Sequence, residues 1–184
     1  IGNFSALHQD SFKRMLAYSG ISHAGYMMLT IISLYGKTDN ALFYYSLAYG
    51  VATLAAFTIS IIVANHIGSE KFEAFNGLGK QKPFLAAALT ITMLSMAGIP
   101  PFAGFFGKYY IFTEAIKAGH LWLVVFAILN SIVGIYYYFK VIVAMYTKES
   151  NDVGFRIKPA YSFVIAICVL LTILIGIFPS IFAN

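Results

Sequence analysis

Met96-Ala97-Gly98-Ile99-Pro100-Pro101-Phe102-Ala103-Gly104-Phe105-Phe106-Gly107-Lys108 is the stretch on which the reading of this chain turns. It lies inside an apolar run from Pro83 to Ala118. Two prolines and three glycines interrupt any helix there, because Pro100 and Pro101 supply no N–H to the helical ladder. Interrupted backbone at membrane depth is tolerated only where protein buries it or a watery cavity lines it. A lysine follows the interruption, and an ionisable group inside a membrane span is a functional candidate by default, since charge is costly there. The bland alternative for Lys108 is that its stem carries the ammonium out to an interface.

Composition fixes the class around that stretch. The chain has 184 residues, of which 60% are hydrophobic and 10% charged, with 17 Phe and 13 Tyr, and a mean hydropathy of +0.79. Soluble domains carry about 25% charged residues, so the expectation is an all-α polytopic membrane protein with aromatic belts at the lipid–water boundaries. The net charge of +5 sits mostly in short loops, as the positive-inside rule predicts, and does not ask for a nucleic acid. Cys168 is the single cysteine, so no intramolecular disulfide is available. The chain opens at Ile1 without methionine or a visible signal peptide. Residues 1–10 read as the tail of a loop or of an earlier helix, and the chain as part of a longer protein.

The hydropathy pattern predicts membrane segments at about 13–35, 41–65, 83–118 (broken near 98–104), 121–146 and 159–180, with a short amphipathic piece on the surface at about 69–79. Gly77 and Gly79 are expected to end that piece, and Pro159 suits a helix start. As one straight helix the third region would be about 54 Å long, against a hydrocarbon core of about 30 Å. It is therefore one broken crossing or a hairpin. A single crossing places Lys13, Arg14, Lys71, Lys80, Lys82, Lys148, Arg156 and Lys158 on one face, with Lys37 and Lys117 opposite; a hairpin makes the split nearly even. The positive-inside rule favours five crossings, the third discontinuous, with the Lys13 end cytoplasmic.

The remaining intramembrane polar groups are weighed one by one. His23 lies roughly 15 Å along its helix from Lys13, near mid-depth, where its two charge states are close in energy. Ser19 and Tyr26 share its helix face and are candidates to hold a water or fix its tautomer; the alternative is a buried histidine bonded to a neighbouring helix. Lys140 is a relay or a snorkelling residue near the end of the fourth segment, with Tyr136, Tyr137 and Tyr138 as hydroxyl neighbours. Glu114 and Lys117 read as an interfacial ion pair. Asn130, Thr90 and Thr92 are helix glue or water ligands. Other chemistry finds no footing. Lys80 follows Gly79, but Ala74 and Gln81 stand where a phosphate loop needs Gly and Ser/Thr. No Cys/His cluster has metal spacing, the histidines lack haem-ligand spacing, and no Ser/His/Asp set can be assembled.

At this point a resemblance is visible. Phe12-Lys13-Arg14-Met15-Leu16-Ala17-Tyr18-Ser19-Gly20-Ile21-Ser22-His23-Ala24-Gly25-Tyr26 resembles the KR-LAYSSISH-GY segment of the antiporter-like subunits of respiratory complex I. Ala97 to Pro101 with Gly104 to Tyr110 is similar to their broken helix, and Gly134 to Val141 resembles the GLYYYLR segment of their N-type (subunit 2) branch. Lysine at 108 fits that branch, since the M-type carries Glu there and the L-type an SKD-like motif. Position 20 departs, being Gly where Ser is usual, and Lys140 stands for the Arg of some relatives.

The resemblance implies the C-terminal half of an antiporter-like inverted-repeat fold and a proton-translocating subunit of NADH:quinone oxidoreductase, with no covalent chemistry in the chain. Lys108 and His23 would belong to a mid-membrane polar axis, with Lys140 linking it to one surface. Ser19, Tyr26, Pro100, Pro101, Gly104, Gly107 and Tyr137 would support them. No metal or cofactor is expected in this chain, while FMN, iron–sulfur clusters and quinone belong to other subunits. Expected partners are the other membrane subunits of the complex, paralogous antiporter-like ones included, and lipids. The expected site is an energy-transducing membrane, the bacterial inner membrane. Two other readings stand beside this one: a subunit of a multisubunit cation/proton antiporter or membrane-bound hydrogenase, and a structural subunit without an ion path.

Overall fold

The computed structural model describes residues 1–33, 38–149 and 156–183. Lys37, the expected end of the first segment at Tyr35, and the middle of the charged loop before Lys158 lie outside the described residues. The described residues are helical apart from connections and one isolated bridge between Ser11 and Lys71. In order they form α1 (Gly2–Leu7), α2 (Phe12–Ser33), α3 (Thr38–Ile67), a 3₁₀ turn (Phe72–Phe75), α4 (Leu78–Gln81), α5 (Pro83–Ala97), α6 (Ala103–Lys117), α7 (Leu121–Thr147), α8 (Pro159–Ile177) and α9 (Pro179–Ala183).

Among the described residues, three helices are long and apolar enough to cross a membrane: Asp39–Ile67, Leu121–Thr147 and Pro159–Ile177. The others fall short for physical reasons. α2 carries Lys13, Arg14, Ser19, Ser22, His23 and Thr30, which lower its hydropathy. α5 and α6 have 15 residues each, or about 22 Å, less than a hydrocarbon core. The interruption between them covers 98–102, with helix resuming at Ala103, so Gly104 and Gly107 sit inside α6 and not in the break.

The break has a local cause. Gly98 takes φ +85°, a left-handed cap that its lack of Cβ permits, and its N–H bonds the Leu94 and Ser95 carbonyls. The two prolines follow, with a cis peptide between them. α8 closes over this loop: a Cβ on Gly176 would come 2.3 Å from the Pro101 carbonyl oxygen.

α7 orders the layout. At its C-terminal end the Gly77 N–H bonds the Ala144 carbonyl, 3.2 Å away. At its N-terminal end Val124 packs with Ile111 and Ala115 of α6. α5 and α6 together therefore run beside the whole of α7, about 40 Å of helix. The largest core joins Phe12, Met15 and Leu16 of α2 to Ile59 and Val63 of α3, Leu85 and Met93 of α5, and Tyr138 and Met145 of α7. Aromatic and aliphatic side chains such as Trp122, Phe126 and Phe163 face outward.

The segment expected to lie as an amphipathic piece on the surface is instead folded into the protein. Phe75 and Leu78 are buried in the main core. Gly77 takes φ +68° and starts α4, whereas Gly79 lies within it, where a Cβ would meet the Tyr146 ring at 2.5 Å.

Candidate functional site

Lys108 is the centre. Helix carbonyls at 96 and 97 would ordinarily receive the N–H groups of residues 100 and 101, and those are the two prolines. The lysine fills both vacancies: its ammonium donates to the Ala97 carbonyl at 2.9 Å and the Met96 carbonyl at 3.2 Å. A third hydrogen bond runs to Ser131 Oγ on α7 at 2.8 Å, so its three N–H donors have three acceptors. The cation also sits at the C-terminal, negative end of α5 and 5.4 Å from the centre of the Tyr26 ring. Gly98 makes the approach possible, because a Cβ there would stand 3.1 Å from Lys108 Nζ. Lys108 is 8% exposed, so its ammonium does not reach out to an interface. Among the described residues no carboxylate pairs with it.

His23 projects from α2 and is 4% exposed. Its Nδ1 is joined to the Tyr45 hydroxyl at 2.6 Å and its Nε2 to the Tyr138 hydroxyl at 3.1 Å. Tyr49 stacks on the imidazole with ring centres 4.4 Å apart, and Tyr26 meets it edge-on at 5.8 Å. A cavity of about 10 Å³ at a water-sized radius separates it from Lys108, with Tyr45, Tyr49, Ser95 and Gly104 among its lining residues. That is the size of a single water site. Gly107 lets α6 lie against Tyr45, since a Cβ would come 2.7 Å from that ring. Gly104 lets the start of α6 cross Ser95, whose hydroxyl accepts the Gly104 N–H at 3.1 Å.

The structure thus brings Lys108, His23, Tyr26, Gly104 and Gly107 together around the break at Pro100 and Pro101. Ser19 is buried beside them; its hydroxyl donates back to the Leu16 carbonyl at 2.7 Å and also bonds the hydroxyls of Tyr137 and Tyr138, the second of which meets His23. Tyr137 donates to Asn3 Oδ1 at 2.7 Å. Lys140 is not brought to the site: it is exposed, with its ammonium 4.9 Å from the centre of the Phe72 ring. Glu114 and Lys117 form an ion pair at 2.8 Å. Thr92 bonds its own helix; Thr90 does so too and also meets the Tyr146 hydroxyl.

Sequence reasoning missed Tyr45, Tyr49, Ser95, Ser131 and Asn3. The available signal was weak but physical. Ser131 follows Asn130 in an otherwise apolar helix, and buried polar groups in such a helix need partners. Tyr45 is one of several tyrosines in the middle of an apolar segment, away from the interfaces that explain most tyrosines.

Residues 1–134 match the family described as "NADH:quinone oxidoreductase/Mrp antiporter, TM". The NADH-quinone oxidoreductase subunit N of Cytophaga hutchinsonii is 47% identical over 98% of this chain and 40% of its own length. A chain of respiratory complex I from Thermus thermophilus superposes with a TM-score of 0.84 at 35% identity, covering 97% of this chain and 41% of that one. A chain of an archaeal membrane-bound sulfane sulfur reductase superposes with a TM-score of 0.86 at 31% identity, covering all of this chain and 38% of that one. The chain spans about two fifths of the length of the curated relatives it matches, 40% and 39% for two of them.

Proposed function

We propose that this chain, which belongs to the NADH:quinone oxidoreductase/Mrp antiporter transmembrane family, forms part of a proton-translocating membrane subunit of an NADH:quinone oxidoreductase. The observation that carries the proposal is the pairing of two buried ionisable groups, His23 and Lys108, across a water-sized cavity. Each is held by neutral partners, carbonyls, hydroxyls and aromatic faces, and not by a fixed counter-ion. A charge so placed answers to charges arriving nearby, because little else in its surroundings is ionised. For a proton to pass between Lys108 and His23, a Lys108 N–H leaves its carbonyl or Ser131 partner, and the Tyr45 or Tyr138 hydroxyl hands the proton on to the imidazole, whose two nitrogens those hydroxyls hold. Nothing of that kind supports a part in the route for Lys140.

The chain crosses the membrane five times in this reading, with α5 and α6 making one discontinuous crossing and the Lys13 end cytoplasmic. The membrane is an energy-transducing one, the inner membrane of a bacterium. Paralogous antiporter-like subunits and lipids are the neighbours, and FMN, iron–sulfur clusters and quinone reside in other subunits.

The test is Lys108→Ala in the whole complex. Proton transfer along this route is expected to fall at least about a hundredfold, the low end of what removing a group that takes part in proton transfer costs, and pumping per electron to fall with it, while the complex still assembles. Normal pumping in a well-assembled variant would falsify the route. A second reading, a subunit of a cation/proton antiporter or of another respiratory membrane complex, is favoured by the match to the sulfane sulfur reductase chain, which superposes as closely as the complex I chain. Purifying the assembly decides between them: quinone-dependent NADH oxidation with peripheral iron–sulfur subunits goes with the first.

A further inference from the structure

Tyr26 meets both ionisable groups. Lys108 lies over its ring at 5.4 Å and His23 packs against it at 5.8 Å with the planes at 89°. Its hydroxyl is held by two amides from different helices. Asn3 Nδ2 of α1 donates to it at 3.3 Å and Asn130 Nδ2 of α7 at 3.2 Å. Asn3 is itself fixed on its other sides, donating to the Asn130 carbonyl at 2.6 Å and accepting from the Tyr137 hydroxyl at 2.7 Å. Asn3 is 2% and Tyr26 4% exposed, whereas Asn130 is half-buried and lines a surface pocket with Tyr26.

Two consequences follow from elementary chemistry. The Tyr26 oxygen accepts from both amides and its hydroxyl also bonds Ser131, the group that accepts from Lys108, so the hydroxyl is fixed on three sides. The amides that hold it do not titrate in the physiological range, so what they fix is the position of the ring and not a charge. What remains is the ring, whose negative face attracts a cation above it and whose position is set by α1 and α7.

The geometry points to Tyr26, clamped by Asn3 and Asn130, as a positioning residue that holds Lys108 in register with His23. This rests on the proton route proposed above. Small displacements matter in such a gap, because misplacing reacting groups by about 1 Å can cost on the order of a hundredfold in rate.

The experiment measures protons pumped per electron in the purified whole complex, normalised to assembled complex, for four variants. Tyr26→Leu removes the ring, and a loss of at least about tenfold is expected. Tyr26→Phe keeps the ring and drops the clamp, and Asn3→Leu drops the clamp from the other side. Each is expected to cost about two- to tenfold, in line with one hydrogen bond. The double variant Asn3→Leu/Tyr26→Phe is expected to lose no more than either single one, because both act through the same contact.

Rescue by phenylalanine separates positioning from relay. Failure of Tyr26→Phe as complete as that of Tyr26→Leu overturns the proposal in favour of a proton-carrying hydroxyl. Normal pumping per assembled Tyr26→Leu complex overturns it in favour of plain packing, and strictly multiplicative losses in the double variant remove Asn3 from it. Lys108→Ala keeps the two levels apart. A Lys108→Ala complex that pumps normally sinks the route itself, whereas a dead Lys108→Ala beside an unaffected Tyr26→Leu sinks only the clamp.

Discussion

Gly104 shows how little room the site leaves. A Cβ at this position would lie 1.8 Å from the Ser95 carbonyl oxygen, inside backbone that cannot turn away. Gly104→Ala therefore has to part α5 from α6, and overpacking of that kind costs roughly 1–3 kcal/mol. Gly25, also helical, has nothing within 4 Å of an added Cβ. There Ala should gain about 0.5–1 kcal/mol by restricting the unfolded chain. Thermal unfolding of the purified assemblies is expected to show Gly104→Ala below the parent and Gly25→Ala level with it or above. The same residues show what a sequence discloses at this scale. Lys108 stood out because an ammonium in an apolar run has few explanations. Gly104 and Gly107 stood out too, but as helix breakers, whereas Gly98 alone takes the left-handed turn and the other two make space for Ser95 and Tyr45. A glycine's spelling is the same whether it serves φ or clearance, so only the neighbours distinguish the two.

Among the elements, the strap from Gly68 to Lys82 ties the start of α2 to the end of α7. The Phe12 N–H bonds the Glu70 carbonyl at 2.8 Å, and the Phe72 N–H bonds the Asp10 carbonyl at 3.1 Å. Lys13 pairs with Glu70 at 3.1 Å, and Phe12 packs on Phe75 with ring centres 4.4 Å apart. Lys140 lies over Phe72 from α7. These contacts fix the axial register of α2 and α7, the two helices joined deeper down by the His23–Tyr138 bond. An exposed cation–π contact is worth about 0.5–1 kcal/mol, and protease attack on a segment that opens and recloses quickly follows its opening equilibrium. Lys140→Met is thus expected to speed tryptic cleavage at Lys71 and Lys80 roughly two- to fivefold, with pumping per assembled complex unchanged. A pumping loss without faster cleavage would instead return Lys140 to the proton path. The strap was legible in the sequence as apolar residues among charges. Its depth was not, because burying Phe75 and Leu78 depends on Phe12, more than fifty residues earlier in the chain, and an amphipathic pattern reads the same against lipid as against protein.

At the scale of the whole molecule, the proposed topology lays one interrupted crossing beside one continuous one. α7 has 27 residues, against 15 in each of α5 and α6. The strap before α5 meets the end of α7, and the end of α6 meets the start of α7. Hydropathy alone registers three spanning helices here, since each half of the interrupted pair is too short and α2 too polar. The reasons for both shortfalls are the reasons the site exists: the break frees carbonyls for Lys108, and the polarity of α2 includes His23. Loop charge favours a single crossing, which places Lys80 and Lys148 opposite Lys117. Single cysteines in a Cys168→Ser background test it in sealed, oriented vesicles. Lys80→Cys and Lys148→Cys are expected to react with an impermeant maleimide from the cytoplasmic face, and Lys117→Cys only from the other. A hairpin of α5 and α6 would put Lys80 and Lys117 on one face. In that case the two halves could not lie end to end beside α7, and the carbonyls of Met96 and Ala97 would sit at a membrane surface, where water would satisfy them and Lys108 would have no reason to be buried.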